Sequence, residues 1–534
     1  MKIESISKKI LLYQEKLNKI NNKQEPNFLD EYNKSKVDRK LRYYQGLLYI
    51  YQNEEKEYIK KQIALLKERI KREEILYGNL VRTILMVCLP IAVYVFFNSF
   101  YNLVDSVMCA SISASSVSDV AILAQIKNAI NAFGSGLAGG GAVLVSRYYG
   151  AGKLKEAKNT AGNMLMISVI MSILICLIMI PVAPVICKFS GCTGDQTAMY
   201  FSLQMAELAI VAINTIFIGL EKVKGNSKRI LLLNVLVLII KLTLNAIFIY
   251  VIQVDSIVWI EVSSIIAQSA LFIYGIRKIF SKKNALQIKP KYMKLKKLFV
   301  VPILKLSIPV FLGKFVMNVG KYIVNLMSNI MYSSVTDGLI VGALSVSNNM
   351  CGLITSPTNA FEEGESTIVS QNIGNKNVDR TISTFIRTSI IVMTISIIGY
   401  ILVRFVFLDN LVNLFVSTKI TDPNELEKSQ KLVKYIKEVF VYDSLSIPTL
   451  GVTACVLGLL YGYGKTFLAS ILNFSRIGTR ILSLLILYNT GIGYEATGIA
   501  MGISNSIIMI LSIVCLIIFF SKFKYEKMNI LNRV

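Results

Sequence analysis

The stretch Asn359-Ala-Phe-Glu-Glu-Gly-Glu-Ser-Thr367 holds three carboxylates, Glu362, Glu363 and Glu365. Away from water, neighbouring carboxylates cannot all stay ionised, because desolvation and mutual repulsion both oppose it. Such a cluster can load and release protons near neutral pH. Helical spacing puts 362 and 365 on one face and turns 363 away from it. Lys314 and Lys321 are seven residues apart, hence on one helical face, and are natural counter-ions. Asp105, Lys241 and Arg480 are further ionisable residues inside apolar stretches. In lipid each costs several kcal/mol unless it is partnered or wetted, so each marks a candidate ion or substrate path.

Other chemistries find little support. The chain has no histidine, which removes the commonest general base and the commonest metal ligand. No Gly-x-Ser-x-Gly elbow occurs, and no cofactor or metal motif does. The run from Gly458 to Thr466 resembles a phosphate-binding loop, but five residues separate Gly458 from Gly464-Lys465 where that loop needs four. An enzyme is not expected. Of eight cysteines, Cys88, Cys109, Cys176 and Cys515 fall inside apolar runs, so no disulfide framework is expected. Cys187 and Cys192 flank a turn between two such runs, the one place where a bridge could form.

The elements that carry these residues are membrane spans. Of 534 residues 54% are hydrophobic, and apolar runs of bilayer length recur. The clearest are 165–185, 230–252, 390–407 and 499–520, within about twelve spans from 83–107 to 496–520. The fold expected is an all-α integral membrane protein. The net charge of +25 would fit nucleic acid, but its placement argues otherwise. Lys and Arg crowd alternate connections, such as 153–158, 222–229, 277–305 and 376–387. Asp119, Asp195, Asp255, Glu261, Asp337 and Glu495 are assigned to the others. The positive-inside rule then places both termini in the cytoplasm of a multi-pass protein of the cell's cytoplasmic membrane.

Two pairs of segments repeat. "VLVSRYYGAGK" from Val143 aligns with "TIVSQNIGNKN" from Thr367, with Ser146 on Ser370 and Gly150 on Gly374. "GLEKVKGNSK" from Gly219 aligns with "GLLYGYGKTF" from Gly458, with Gly225 on Gly464. Both pairs occupy matching places, so two parallel six-span repeats are expected, at 81–290 and 291–534. The glycines from Gly134 to Gly141 suit close helix packing, since small residues let membrane helices approach.

Residues 1–80 form a separate unit, charged throughout and unlike a signal peptide. Apolar stripes at Ile3–Ile20 and Ile59–Ile70 flank a polar break containing Pro26. They predict a cytosolic helical hairpin and leave a protein partner open.

"LPIAVYVFFNSFYNLVDSV" from Leu89, followed by "LVSRYYGAGKLKEA", resembles the first two spans of the multidrug and toxic compound extrusion (MATE) family. "GNSKRILLLNVLVLIIKLTLNAIFIY" resembles its fourth loop and fifth span, and "NIGNKNVDR" and "GLLYGYGKT" fall where the second half repeats them. The resemblance covers about residues 82–520. It implies two lobes around a central cavity, and export of organic, often cationic compounds driven by protons or sodium ions. It also implies that Asp105 is the family's first-span cation or proton site. The family's fifth span carries Asn-x-x-Leu-Asp; here Lys241 replaces the asparagine and Asn245 the carboxylate. Arg480 is the equivalent of Lys241 in the second half. The resemblance therefore predicts no working sodium site in the first lobe and a Lys241–Asp105 pair.

The expected function is secondary antiport of small organic, cationic compounds against protons or sodium ions by alternating access. Two alternatives stay open. A flippase for lipid-linked sugars would use Lys241, Lys314, Lys321 and Arg480 as a basic cavity. A non-transporting scaffold would act through its first 80 residues.

Overall fold

The computed structural model describes residues 2–22, 28–54, 56–110, 114–189, 196–254, 256–413, 423–524 and 527; the side chains of 2, 28–29, 56–57, 100–110, 114–122, 413, 423–426 and 428–429 lie outside that description. No strand forms among the described residues. Three helices, not a hairpin of two, precede the apolar part: α1 (Lys2–Asn21), α2 (Phe28–Asn53) and α3 (Lys56–Tyr77). The two apolar stripes are α1 and α3. The sequence reading missed α2, whose buried side is thin (Leu41, Leu47 and Ile50) and interspersed with tyrosines and lysines.

The first half contains α4 (Leu80–Ala110), α5 (Ala114–Gly150), α6 (Leu154–Phe189), α7 (Thr197–Val223), α8 (Ser227–Ala246) and α9 (Val258–Phe280). The second contains α10 (Lys297–Thr336), α11 (Ile340–Gly374), α12 (Val378–Ile401), the short α13 (Leu408–Asn413), α14 (Pro423–Asp443), α15 (Ser446–Gly462), α16 (Thr466–Asn489) and α17 (Ala496–Ser521). Among the described residues ten helices are long and apolar enough to cross a membrane, and α14 with α15, bent by 44° at their junction, makes an eleventh. The 35-residue α11 is not among these, and it is packed by α4, α5, α12, α14 and α15. Enclosed in this way, it needs no lipid-facing side and can carry its serines, asparagines and glutamates. By contrast, α6, α8, α10 and α12 bury only 22% of their most apolar windows, as lipid-facing helices do.

The halves meet where α5 lies on α10 and α11, and where α4 lies on α11. A Cβ on Gly136 would come within 2.7 Å of Phe311 Cα, and one on Gly140 within 2.6 Å of Ser307 Cα. These glycines, four apart on one face, let the backbones of α5 and α10 touch across the halves. The repeat read from sequence is present in the backbone. Gly225 and Gly464 follow α7 and α15 with φ of +69° and +71°, a left-handed turn that glycine adopts without strain.

Both ends of the described chain lie at one face. Helix α3 reaches the first half through Glu68, which accepts from the Ala285 amide at 2.6 Å, and through Lys71, which donates to Asn226. It reaches the second half through the Ile75 and Gly78 carbonyls, which accept from Arg380 at 3.3 and 2.6 Å. At the other terminus Lys527 pairs with Asp379, 2.7 Å away in the same region. Cys187 is buried near the end of α6, and Cys192, its one expected bridging partner, lies outside the described residues.

Candidate functional site

A cleft of about 160 Å³ separates the halves near this face, and Ser135, Lys222, Lys314, Glu362, Glu363 and Tyr461 are among its lining. Lys222 at the end of α7 forms an ion pair with Glu363 of α11, so the pair joins the two halves. Glu362 lies in the field of Lys314 on α10. The lining positions of α11 are 362, 363, 366 and 367. The cleft therefore sees 362 and 363 together, and the expectation that 363 turns away from the face of 362 is corrected; 365 lies in the field of 362 but does not line the cleft. Glu365 points to the opposite side, against α4 and α15: its Oε2 would stand 3.0 Å from a Cβ on Gly458. Both its oxygens are buried with no hydrogen-bond partner among the described residues.

The cleft is closed at the face that carries the termini. The Arg147 guanidinium of α5 donates to the Gly462 carbonyl at 3.1 Å, and the Gln371 amide of α11 donates to the Val223 carbonyl at 2.7 Å. In the repeat alignment Arg147 matches Gln371 and Val223 matches Gly462. The two bonds are thus one contact made twice about the pseudo-twofold axis.

A second ionisable group sits inside the first half. Lys127 of α5 pairs with Glu207 of α7 and lies 3.4 Å from Glu261 of α9. Lys241 of α8 adds its charge to the same group. Asn245, one turn further, accepts the Ser263 hydroxyl. Two cations therefore face two buried carboxylates. Asp105 and its expected pairing with Lys241 lie outside the described side chains. Glu261, assigned by sequence to a connection, is buried in the first turn of α9.

A third group fills the second half. Asp443, at the bend between α14 and α15, accepts from Ser347 at 2.8 Å and Ser446 at 3.0 Å. Arg480 donates to Ser504 at 3.1 Å and Asn505 at 3.2 Å, and Arg476 donates to Asn505 at 2.7 Å. Lys321 lies in the field of Arg476, Arg480 and Asp443. It is not a counter-ion of the glutamate cluster, as its spacing from Lys314 suggested. Seven residues carry it about 10 Å along the helix axis. Nor does Arg480 serve that cluster. Three cations here share one carboxylate.

Sequence reasoning missed Lys127, Glu207, Lys222, Asp443 and Arg476. Lys127 and Glu207 were detectable as charges inside apolar spans. Asp443 was hidden by the polar approach to the bend, where a span boundary is hard to place. No group of three or more histidine, cysteine or acidic side chains able to hold a metal ion forms among the described residues.

Two parallel six-helix halves around an ionisable cleft describe a membrane transporter. The chain belongs to the MatE family, whose model matches residues 90–247 and 313–486, more than half of its length. Its fold is similar to that of a transporter of the MOP superfamily from Pyrococcus furiosus, described as having a binding pocket of reversed polarity that suggests a different function (TM-score 0.77, 18% identity, 84% of this chain and 98% of that one). It is also similar to a MATE protein in complex with MaL6 (TM-score 0.78, 18% identity, 85% and 99%). A third similar structure is the outward-facing conformation of a multidrug resistance MATE family transporter (TM-score 0.74, 18% identity, 86% and 97%). At these identities the likeness concerns the fold. No curated protein matches the chain.

Proposed function

We propose that this MATE family transporter is a secondary antiporter of the cytoplasmic membrane, exporting organic compounds in exchange for protons, with both termini in the cytoplasm. The observation that carries this reading is the Lys222–Glu363 pair, which bridges the halves beside the closed end. A proton taken by Glu363 cancels its charge and releases Lys222. The halves can then part at the cytoplasmic face, and the proton leaves there as the pair re-forms on closing. Glu362 and Glu363 also supply negative charge for a cationic substrate, which would compete with Lys314 for Glu362. The first-half group supports protons over sodium, because Lys127 and Lys241 already bring positive charge to Glu207 and Glu261. The test is ethidium efflux in everted vesicles with pH and sodium gradients imposed separately. Glu363→Gln should abolish the pH-driven component. Equal transport by wild type and variant would reject the role of the pair.

A second reading rests on the second-half group. Lys321, Arg476 and Arg480 around Asp443 leave an excess of positive charge inside that half. This favours a substrate with a phosphate or carboxylate, as a flippase for lipid-linked sugars would need. Translocation of a pyrophosphate-linked lipid in proteoliposomes, without ethidium efflux, would select it. A scaffold acting through its N-terminal helices would lose all function on deletion of residues 1–75, whereas a transporter keeps efflux.

A further inference from the structure

The N-terminal helices lie outside the matched family segments, and they build a cavity of their own. A cleft of about 630 Å³ opens between α2 and α3 on one side and the start of α8 and the end of α9 on the other. Its volume suits a ligand of nucleotide size. Two of its cations, Arg39 and Arg229, lie 3.9 Å from Glu74 and 2.9 Å from Glu221. Six others, Lys40, Lys60, Lys67, Lys71, Lys278 and Lys283, have no carboxylate partner among the described residues. The one acidic lining residue, Glu68, is already engaged by the Ala285 amide and by Lys224 at 3.5 Å.

Like charges gathered in one cleft repel, and here the cations outnumber the carboxylates that pair with them. The effect shows at Lys71: burial, and then Arg229 beside it, lower its pKa from 10.5 to about 8. A multivalent anion would relieve that repulsion, and ammonium groups on flexible stems suit phosphate oxygens as point charges. Tyr43 in the cleft carries Lys67 over its ring at 6.0 Å, leaving an aromatic wall beside the charges.

We propose that this cleft is a binding site for a small, multiply phosphorylated anion, supplied either by a soluble nucleotide or by an acidic lipid headgroup. The cleft is placed for either source, since it opens at the face of the termini and Arg229 and Lys278 lie at the membrane ends of α8 and α9. Occupancy would have a consequence for the whole molecule. Lys71 and Glu68 belong to α3, and α3 also holds the second half through Arg380. An anion that fixes α3 on the first half therefore tightens a strap across both.

The test uses the full chain in neutral detergent at 150 mM salt, about the physiological ionic strength. Equilibrium binding of inorganic triphosphate and of ATP is measured, with sulfate at matched ionic strength as control. A parallel arm measures the enrichment of cardiolipin, whose headgroup carries two phosphates, retained by the protein from mixed neutral and acidic lipid. The expected result is saturable binding in one arm, weakened about tenfold or more in Lys60→Gln/Lys71→Gln/Lys278→Gln, and unchanged in Lys282→Gln, whose side chain does not line the cleft; tenfold is about 1.4 kcal/mol. The single variant Lys67→Gln, at an exposed position, should show a smaller loss in the same arm should the triple variant fail to fold. Triphosphate binding would assign a soluble ligand, and lipid enrichment alone a headgroup. Binding in neither arm, or equal binding by wild type and the cleft variants, would overturn the proposal.

Discussion

Gly150 and Gly374 are each pressed against the other half by the same contact. A Cβ on Gly150 would stand 2.2 Å from the Gln371 carbonyl oxygen, and one on Gly374 would stand 2.0 Å from the Arg147 carbonyl oxygen. Gln371 and Arg147 are themselves repeat partners, so the contact is reciprocal about the pseudo-twofold axis. No other side chain fits these two places without moving backbone. Together with the Arg147–Gly462 and Gln371–Val223 bonds, they shut the cleft at the face of the termini.

Gly374→Ala should therefore open this end. Overpacking against backbone costs about 1–3 kcal/mol, which the halves can relieve by parting. The readout is alkylation of a cysteine placed by Ser370→Cys, a position that is fully buried and bonded to the Gly462 carbonyl at 3.0 Å. Alkylation should rise about tenfold over the same cysteine in a Gly374 background. An unchanged rate would show that the contact does not hold the closed end.

The three glutamates should separate by their surroundings. Glu363→Gln and Glu362→Gln change groups that line the cleft and should lower pH-driven efflux about tenfold or more. Glu365→Gln replaces a side chain that does not reach it and should keep efflux within about twofold. Loss of transport in Glu365→Gln with normal membrane abundance would place the proton path through α4 and α15 instead.

Sodium should not drive transport. Lys127 and Lys241 already neutralise Glu207 and Glu261. Removing one cation leaves the other, so Lys241→Asn alone should not create sodium dependence. Efflux rates at matched ionic strength with sodium or potassium chloride are the check, and a sodium requirement in the wild type would refute it.

Docking of α3 should strengthen with pH. The folded pKa of Lys71, about 8, lies below its ordinary value of 10.5, so the unfolded or undocked chain binds more protons between the two. Stability then rises as pH rises from about 8 towards 10.5, and the full penalty of charging Lys71 is felt below 8. Relative to Lys71→Gln, the wild-type melting temperature should climb across that window. A parallel course in both proteins would show that Lys71 carries no such penalty.

The glycines and spans were legible in the sequence because each obeys a local rule. Gly150 and Gly374 could be aligned from short strings, and Gly136 and Gly140 follow helix spacing. The contacts across the halves could not be read, since they join Gly150 to Gln371 and Gly374 to Arg147, far apart in sequence. That Glu365 stands off the cleft could not be read, because three carboxylates on one helix do not reveal which side faces it; that depends on where α4 and α15 pack. Glu261 was read as part of a connection because a charge at a span edge looks the same whether it meets water or Lys127. The C-terminal cation group was only half visible: Lys321 and Arg480 were noticed, but Asp443 and the bend that aims it were not.

Proton exchange across the Lys222–Glu363 pair is the central claim, and proton flux tests it most directly. Purified protein is reconstituted into liposomes preloaded with ethidium and a pH-sensitive dye, then diluted into ethidium-free, sodium-free buffer of equal pH. Outflow of ethidium should acidify the lumen in the wild type, and Glu363→Gln should show neither outflow nor acidification. Outflow with no pH change, or acidification only when sodium is added, would contradict the account.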